Sequence, residues 1–433
     1  MSRSERAFAI VAAVLVTFGV CAGAEEPTFA TLYQFTGYLG GPDGSFPIAP
    51  LVIGPGAVLF GTTRLGGIVN ATCPQGCGTV FSLTPPVSHG LPWTETVLHS
   101  FTAGSDGYWP SAALTVGANG ALYGTAVGGG ASGYGTVFSL RPPAASGGPW
   151  TVAVVYNFAG PFGPGTDGAG PYARLLVSAG GIVYGTTSFG GAYGGGTAFS
   201  LTPPSSGAGW TETILHDFGG EGDGSDVLSG LTVSGGVLYG TTYFGGASNY
   251  GTVFSLAPPG AAGGTWTEAV LYSFASGTDA ENPEFGNLVV GASGVLYGTT
   301  LDGGAYGKGT VFSLTPPASQ GAAWTESVLF SFSYRSGESP DGGLAIDKAG
   351  NLYGTTSYGG NATKGLGTVF QLAPPADAGS PWKFTELHTF TNPNGIVPMA
   401  GVTIDPDNKV IYGTTSGFYY IPQNGGTVFS LTF

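Results

Sequence analysis

Charged residues are scarce in this 433-residue chain, where Asp, Glu, Lys and Arg together make up only 8%. Average soluble proteins contain roughly 25%. Basic residues are the rarest, with 11 Lys and Arg against 25 Asp and Glu, and the formal net charge is −14. A chain of this charge repels phosphate backbones, and no basic run is present, so we expect no nucleic-acid partner.

Histidine and cysteine, which build most catalytic triads and metal sites, are also few. The 4 histidines form neither a Ser-His-Asp pattern nor a His-rich metal pattern, so we expect no metal and no cofactor. Cys73 and Cys77 lie in one Cys-Pro-Gln-Gly-Cys segment. An exported chain meets an oxidising compartment, which favours a disulfide between these two cysteines over free thiols or a metal site.

The first 24 residues are typical of a secretory signal peptide. Arg3 and Arg6 provide a positive start, and residues 22–24 (Ala-Gly-Ala) match a cleavage site. The apolar residues 7–20 are shorter than the ~20 residues that a membrane-spanning helix needs. We therefore expect a mature chain without a membrane span, either secreted, periplasmic or on the cell surface.

Glycine is abundant, with 81 residues, but no strict Gly-X-Y period appears, which excludes collagen. Aromatic residues make up 13%, too many for a disordered linker. One pattern recurs seven times: an apolar strand, a strand ending in Tyr-Gly-Thr-Thr or a variant, a glycine-rich loop, then Gly-Thr-Val-Phe-Ser-Leu, Pro-Pro and Trp-Thr-Glu-x-Val-Leu. The recurring second-strand glycines are Gly61, Gly124, Gly185, Gly240, Gly298, Gly354 and Gly413. We expect each of them to let an aromatic ring of an adjacent blade approach closely.

Four short strands in each repeat predict one blade of a β-propeller. Residues 29–35 resemble the end of a fourth strand, whereas the chain ends at Phe433 just after a third strand. The N-terminal strand can therefore complete the last blade and close the ring. We predict one all-β domain over residues 29–433, a seven-bladed propeller of four-stranded antiparallel blades. The repeats lie near residues 47–101, 110–158, 171–218, 227–274, 283–332, 340–390 and 398–433, the last with 29–35.

The combination of Leu-Tyr-Gly-Thr-Thr, Gly-Gly and Gly-Thr-Val-Phe-Ser-Leu resembles the GloVer repeat of bacterial exported proteins, often called choice-of-anchor tandem repeat proteins. The resemblance covers residues 29–433 and implies export and a propeller-like repeat. It implies no activity and no catalytic residues. A looser similarity to kelch propellers concerns the fold alone.

Residues that recur in every copy are expected to be architectural. His99, His216 and His388 occupy a position that other copies fill with tyrosine or phenylalanine, which indicates an aromatic packing position. Glutamates follow Trp-Thr at the start of four fourth strands, and we expect them to form local hydrogen bonds or to face water. These are Glu95, Glu212, Glu268 and Glu326.

A recurring aspartate precedes five of the seven first strands and is followed by glycine or a small residue, and Asn394 takes its place in the last repeat. The five aspartates are Asp43, Asp106, Asp167, Asp223 and Asp279. Asp-Gly is typical of turns, because the side chain bonds the nearby backbone and glycine accepts positive φ. The functional alternative is a ring of carboxylates for cations or sugar hydroxyls, although calcium needs 6–8 oxygens at one centre.

The best candidate surface is formed by the loops between second and third strands, which strand alternation places on one face. These loops are aromatic and differ from copy to copy. The candidate binding residues are Tyr134, Phe189, Tyr193, Phe244, Tyr250, Asp302, Tyr306, Tyr358, Tyr419 and Tyr420. Tyrosine combines a flat apolar ring with a polar tip, which suits sugar stacking and wet interfaces. Packing of these rings within the loops is the alternative.

Three hypotheses remain open. A binding module would recognise a glycan or another exported protein through the aromatic loops. An enzyme acting on polysaccharide, a hydrolase or a lyase, would need paired carboxylates in the central channel. Its candidates are Glu221, Asp226, Glu281, Glu284, Asp302 and Glu338. A structural surface protein would have no specific ligand. We favour the binding module, a monomer, over catalysis.

Overall fold

The computed structural model describes residues 27–433 except 38–40, 89, 146, 162–166, 206–208, 262, 320, 363–364, 378, 393 and 418–424. The predicted signal peptide lies outside the described residues and stays a prediction. Within the described part, seven four-stranded antiparallel sheets form the blades of a β-propeller, as predicted. No helix in this part is long and apolar enough to span a membrane.

The strands of each blade follow one another outward from the central channel. Blade 1 contains Val52–Ile53, Leu59–Thr63, Thr79–Thr84 and Thr94–Ser100. Blade 2 contains Thr115–Val116, Leu122–Ala126, Thr136–Arg141 and Thr151–Asn157. Blade 3 contains Leu176–Val177, Val183–Thr187, Thr197–Thr202 and Thr211–Asp217. Blade 4 contains Thr232–Ser234, Val237–Thr242, Thr252–Ala257 and Thr267–Ser273.

The remaining blades repeat this order. Blade 5 contains Val289–Val290, Leu296–Thr300, Thr310–Thr315 and Thr325–Ser331. Blade 6 contains Ala345–Ile346, Leu352–Thr356, Thr368–Ala373 and Lys383–Thr389. Blade 7 contains Thr403–Ile404, Val410–Thr415, Thr427–Thr432 and, as its outermost strand, the N-terminal Thr28–Gln34. Single-turn 3-10 helices at Pro55–Ala57, Ala118–Gly120 and Ala292–Gly294 join first and second strands.

The N-terminal strand closes the ring, which confirms the prediction. Thr28–Gln34 pairs antiparallel with Thr427–Thr432, with Phe29 opposite Leu431. The ring is also joined on its inner side, where the Thr403 hydroxyl of blade 7 donates to the Leu51 carbonyl of blade 1 at 2.6 Å. The ring is thus closed by the strand pairing within blade 7 and by this hydrogen bond between blades 7 and 1.

Each pair of consecutive blades shares one buried contact between two phenylalanines. The residue after a fourth strand meets the third-strand phenylalanine of the next blade, with ring centroids 4.8–5.2 Å apart. The seven pairs are Phe35–Phe81, Phe101–Phe138, Phe158–Phe199, Phe218–Phe254, Phe274–Phe312, Phe332–Phe370 and Phe390–Phe429. All fourteen rings are fully buried, so these contacts form the core.

The second-strand glycine makes room for this core, but the ring it accommodates differs from the prediction. A Cβ on Gly61 would lie 2.5 Å from the Phe81 ring, and Phe81 belongs to the same blade, directly opposite Gly61 in the pairing. The expectation of a ring from an adjacent blade was therefore wrong. The ring folds across the strand beside it because that is where the glycine leaves space.

The tryptophans that open the fourth strands pack between blades. Each meets a second-strand aromatic ring of the preceding blade, for example Trp210 against Tyr123 at 6.3 Å. Blade 7 has no such tryptophan, and Phe433 packs against Tyr353 of blade 6 at 6.1 Å instead. The tryptophans are thus part of the architecture.

Two sets of loops share one face, which we call the loop face. It carries the loops from second to third strand and the connections from each fourth strand to the next blade. The two sets pair with each other, as in Gly168–Ala169 with Phe189–Gly190, Gly224–Ser225 with Phe244–Gly245 and Ala280–Glu281 with Asp302–Gly303. The pairing places both sets on one side, as strand alternation predicts for the loops between second and third strands.

Candidate functional site

The exposed aromatic side chains of the described residues lie on the loop face, except for Phe433 at the C-terminus. They are Phe189, Tyr193, Phe244, Tyr306, Tyr334 and Tyr358. Tyr193 and Tyr306 are the most open, with 67% and 66% of their surface exposed. These residues belong to blades 3 to 6 or to the connection between blades 5 and 6, so they form an arc over part of the ring.

Other candidate aromatics are placed differently. Tyr134 and Tyr250 are half-buried and pack against the cores of the following blades. Tyr134 lies against Gly160, where a Cβ would be 2.3 Å from its ring. Tyr419 and Tyr420 lie outside the described residues. Tyr334 was not predicted from the sequence, because it lies in the connection between blades 5 and 6 and not in a loop between second and third strands.

The five recurring aspartates bind groups of their own connection. Asp43 accepts from the Thr36 amide at 2.8 Å and from the Tyr33 hydroxyl at 2.9 Å. Asp106, Asp167 and Asp279 accept equivalent backbone bonds. Asp223 contacts His216 Nε2 at 2.8 Å. These contacts hold the chain where it crosses from one blade to the next.

The four glutamates of the fourth strands do not simply face water. Each is half-buried and lies beside the aspartate of the preceding blade's connection. Glu212 accepts from the Tyr156 hydroxyl at 2.8 Å, and Tyr156 also contacts Asp167. Burial and then the Asp167 charge raise the pKa of Glu212 to about 8. Glu95, Glu268 and Glu326 have pKa values raised to about 7 for the same reasons.

One of these clusters has the composition of a metal site. One ligand atom each of His216, Asp223 and Glu268 lies within 4.8 Å of the others. The same positions in the preceding interface hold Tyr156, Asp167 and Glu212. Because tyrosine takes the place of histidine without other change, the cluster is explained as part of the repeated architecture.

A different group of carboxylates lies on the loop face, where Glu284 and Asp341 directly precede the channel-lining residues Phe285 and Gly342. It comprises Asp226, Glu284, Asp302 and Asp341, from blades 4 to 6, with Tyr243 beside them. Burial, followed by the charges of Asp341, Asp302 and Asp226, raises the pKa of Glu284 to about 8. We call these four acids the rim carboxylates. Three of them were candidates from sequence, but Asp341 was not.

The rim carboxylates have few hydrogen-bond donors or positive charges to offset their burial and mutual repulsion. Burial raises the pKa of Asp341 to about 7, although a hydrogen bond from the Ser357 hydroxyl opposes the shift. One carboxylate oxygen of Asp226 and one of Asp341 are buried and have no hydrogen-bond partner within the described residues. Asp302 is more exposed than these two acids, but partial desolvation still raises its pKa despite the charge of Lys308. The rim is therefore partly protonated near neutral pH.

The other candidate acids are not part of this group. Glu338 forms an ion pair with Lys308 at 2.7 Å. Glu281 accepts from the Gly277 amide at 2.8 Å, and Glu221 is an exposed loop residue. The sequence signal that would have found Asp341 is its position: it follows Pro340 as Glu284 follows Pro283, whereas the same position holds Ile48, Ser111, Tyr172, Leu228 and Met399 in the other blades.

The disulfide is confirmed. Cys73 and Cys77 are bonded and buried in the loop between the second and third strands of blade 1. The Asn70 carboxamide oxygen accepts from the Thr72 and Cys73 amides at 3.0 and 2.9 Å. This loop is therefore tied down within the loop face.

A family model described as the Gloeobacter/Verrucomicrobia repeat matches residues 20–163, 65–287 and 261–433. The chain belongs to this repeat family. Family membership and the disulfide fit an exported protein. No curated protein matches the chain in sequence.

Several solved structures are similar to the chain at low sequence identity. A fungal alcohol oxidase of the AA5 family in complex with copper has a TM-score of 0.55 at 15% identity, and the match covers 94% of this chain and 76% of that one. The gluconolactonase XC5397 from Xanthomonas campestris has a TM-score of 0.43 at 14% identity, with 94% and 90% covered. At 15% identity the similarity to the alcohol oxidase concerns the fold alone.

Proposed function

We propose that this protein is an exported binding module that recognises a glycan through the arc of exposed aromatic side chains on its loop face. The observation that carries the proposal is the confinement of those rings to one face. Flat aromatic rings stack on sugar rings, and large exposed apolar side chains that cluster on one surface mark interaction sites.

The rim carboxylates support a glycan over other ligands. They lie on the same side of the ring as the aromatic arc, and Asp302 occupies the loop position that Phe189 and Phe244 occupy in blades 3 and 4. Tyr243 joins the two groups, because its ring centroid lies 4.5 Å from that of Phe244. Carboxyl groups accept and, when protonated, donate hydrogen bonds to sugar hydroxyls. Rings for stacking and carboxyl groups for hydroxyls together match the chemistry of a saccharide.

A glycan array probed with the mature protein tests the proposal. We expect binding to a restricted set of glycans, and Tyr193→Ala and Tyr306→Ala should each weaken it about tenfold, as for loss of a stacked aromatic ring. Val87→Ala is the matched control, because Val87 is almost fully exposed in a loop of the opposite face.

Two outcomes would contradict the proposal. Absence of glycan binding together with capture of one exported protein would replace the glycan by a protein partner. Glycan binding that neither tyrosine substitution weakens would place the site elsewhere.

A second candidate function is hydrolysis of the bound polysaccharide, favoured by the raised pKa of Glu284. A carboxyl group that keeps its proton near neutral pH can donate it to the oxygen of the departing sugar. A second, ionised carboxylate then attacks the remaining sugar or activates water on the opposite side of its ring. Glu284→Gln should then abolish release of reducing ends and retain binding. If the wild-type protein releases no reducing ends from a glycan that it binds, catalysis is rejected and the binding function remains.

A further inference from the structure

The central channel contains a cavity of about 500 Å³. Described residues of every blade except blade 4 line it, from Tyr172 and Phe285 at the loop-face end to Ile404 and Pro406 at the other. Cavities of about 300–1,000 Å³ hold small molecules. The volume therefore suits a compact ligand and not a polymer.

One ring of seven positions, one from each blade, surrounds this cavity. The ring residue directly precedes the Leu or Val that leads into each innermost strand. In order of blades the residues are Pro50, Ala113, Arg174, Gly230, Asn287, Gly343 and Gly401. Five are small or apolar, and only blades 3 and 5 carry polar side chains. All but Gly230 line the cavity.

The charge of Arg174 has no counter-charge nearby. Its Nε donates to the Thr115 hydroxyl at 3.3 Å, and that hydroxyl donates to the Leu175 carbonyl at 2.5 Å. Within the described part of the chain no carboxylate lies within ion-pair distance of the guanidinium. Its surface is open to the cavity, but the surrounding protein desolvates it and lowers the pKa of Arg174.

Asn287 presents a second donor. Its side-chain oxygen accepts from the Gly230 amide at 2.9 Å, which orients the carboxamide and leaves its NH₂ group as the donor. Gly343 is held close to the backbone of this residue, since a Cβ there would lie 2.9 Å from the Asn287 main-chain nitrogen. A larger residue at position 343 would disturb the ring.

The cavity lining thus combines donors with an absence of acids. Arg64, whose guanidinium lies 5.3 Å from the Trp109 ring centroid, adds a second positive charge at the loop-face end. None of the described lining residues is Asp or Glu, although acids outnumber bases 25 to 11 in the whole chain. A positive group that the surrounding protein partly desolvates and that has no ion-pair partner among the described residues favours a negative ligand.

We propose that the channel cavity binds a small molecule carrying one carboxylate, which the guanidinium of Arg174 and the carboxamide of Asn287 hold. The planar guanidinium matches the two oxygens of a carboxylate. A phosphate has similar oxygens but a higher charge, which the net charge of −14 disfavours more strongly. This site is separate from the aromatic arc, so the proposal does not depend on glycan binding there.

Calorimetric titration of the full mature protein with D-glucuronate, D-glucose and inorganic phosphate tests the proposal. Glucuronate and glucose share one ring and differ in the carboxylate. We expect saturable binding of glucuronate with an affinity at least about tenfold higher than that of glucose, because a hydrogen bond to a charged group changes an affinity by about that factor. Equal affinity for both sugars, tighter binding of phosphate, or no binding of any probe would overturn the carboxylate assignment.

Substitutions locate the site. Arg174→Gln should lower glucuronate affinity about tenfold or more, and Arg141→Gln, the same change at an exposed strand end on the opposite face, should leave it unchanged. Asn287→Asp keeps the acceptor for the Gly230 amide and adds a negative charge, so it should abolish binding even if Arg174→Gln fails to fold. Unchanged affinity in Asn287→Asp with intact folding would overturn the placement in the channel.

Discussion

Buried carboxylates occur in two regions of this molecule, between consecutive blades and at the rim of the channel. Between blades, Glu212 lies beside Tyr156 and Asp167, and equivalent groups recur at three other interfaces. At the rim, Glu284 and Asp341 have equally raised pKa values but no counterpart in other blades. A perturbed pKa alone therefore does not mark a functional site here.

The repeat itself separates the two regions, because at two of the interfaces the interface residues change together. Where Phe384 replaces the glutamate, the residue facing it is Phe330, and the rings stack at 4.3 Å. Where Phe29 replaces it, His388 stacks on Phe29 at 4.0 Å and bonds Asn394 in place of an aspartate. At these two interfaces the group is thus exchanged for another packing arrangement, whereas the interface between blades 1 and 2 keeps His99 bonded to Asp106 and has Val152 at the glutamate position. The rim carboxylates show no such exchange, which favours ligand binding there.

The largest effect on stability is expected from a substitution in the repeated phenylalanine core. Phe218→Ala removes a fully buried ring that contacts Phe254 at 4.8 Å, and it should lower the free energy of unfolding by about 3–5 kcal/mol. Tyr306→Ala on the loop face should change it by less than about 0.5 kcal/mol. Urea unfolding monitored by tryptophan fluorescence measures both. Equal losses would show that the loop face is as structural as the interior.

The next effect concerns pH and the interface carboxylates. The pKa of Glu212 is about 8 in the folded protein against an ordinary 4.5, so the folded state holds the proton more tightly. Its stabilising contribution is full below about pH 4.5 and is lost as the pH rises to about 8. Glu212→Gln imitates the protonated acid and should raise stability at pH 8.5 by on the order of 1–3 kcal/mol, with little change at pH 4.

Unfolding free energies at both pH values, with Glu221→Gln as the exposed control, measure this difference. A variant that is no more stable than the wild type at pH 8.5 would mean that Glu212 is ionised in the folded protein at no cost.

A smaller effect is expected at the rim, where function and not folding should respond. Asp302 is exposed, so Asp302→Ala should leave the melting temperature within about 2 °C. It should weaken binding of the best glycan from the array about tenfold, as for loss of one charged hydrogen bond. Glu221→Ala, an exposed acid outside the rim, should not. Loss of stability without loss of affinity would assign Asp302 to the architecture.

The sequence predicts the features that recur within each repeat, but it does not predict the contacts between residues of different repeats. The strand at residues 29–35 was recognisable because it matches the end of other fourth strands. The Glu212 cluster was not predicted, because its members come from two blades and lie far apart in the chain. Arg174 and Asn287 were not predicted, because neither lies in the aromatic loops between second and third strands. An alignment of the residues that precede each innermost-strand leucine or valine would have identified them.

The smallest effect tests whether His216 is interchangeable with the tyrosine of other interfaces. The Tyr272 hydroxyl donates to Asp279 at 3.0 Å, as His216 contacts Asp223 at 2.8 Å, so His216→Tyr should cost less than about 1 kcal/mol at pH 8. Burial opposes protonation of His216, but the hydrogen bond and charge of Asp223 prevail and raise its pKa. That contribution is present below pH 6.5 and is lost as the pH rises through the raised pKa. The substitution should therefore cost more stability at pH 5.5 than at pH 8.

Thermal unfolding with and without zinc completes the test of His216. A zinc-dependent rise in melting temperature that His216→Tyr removes would show that this interface group is a metal site. The distinction between repeated and unrepeated carboxylates would then no longer hold.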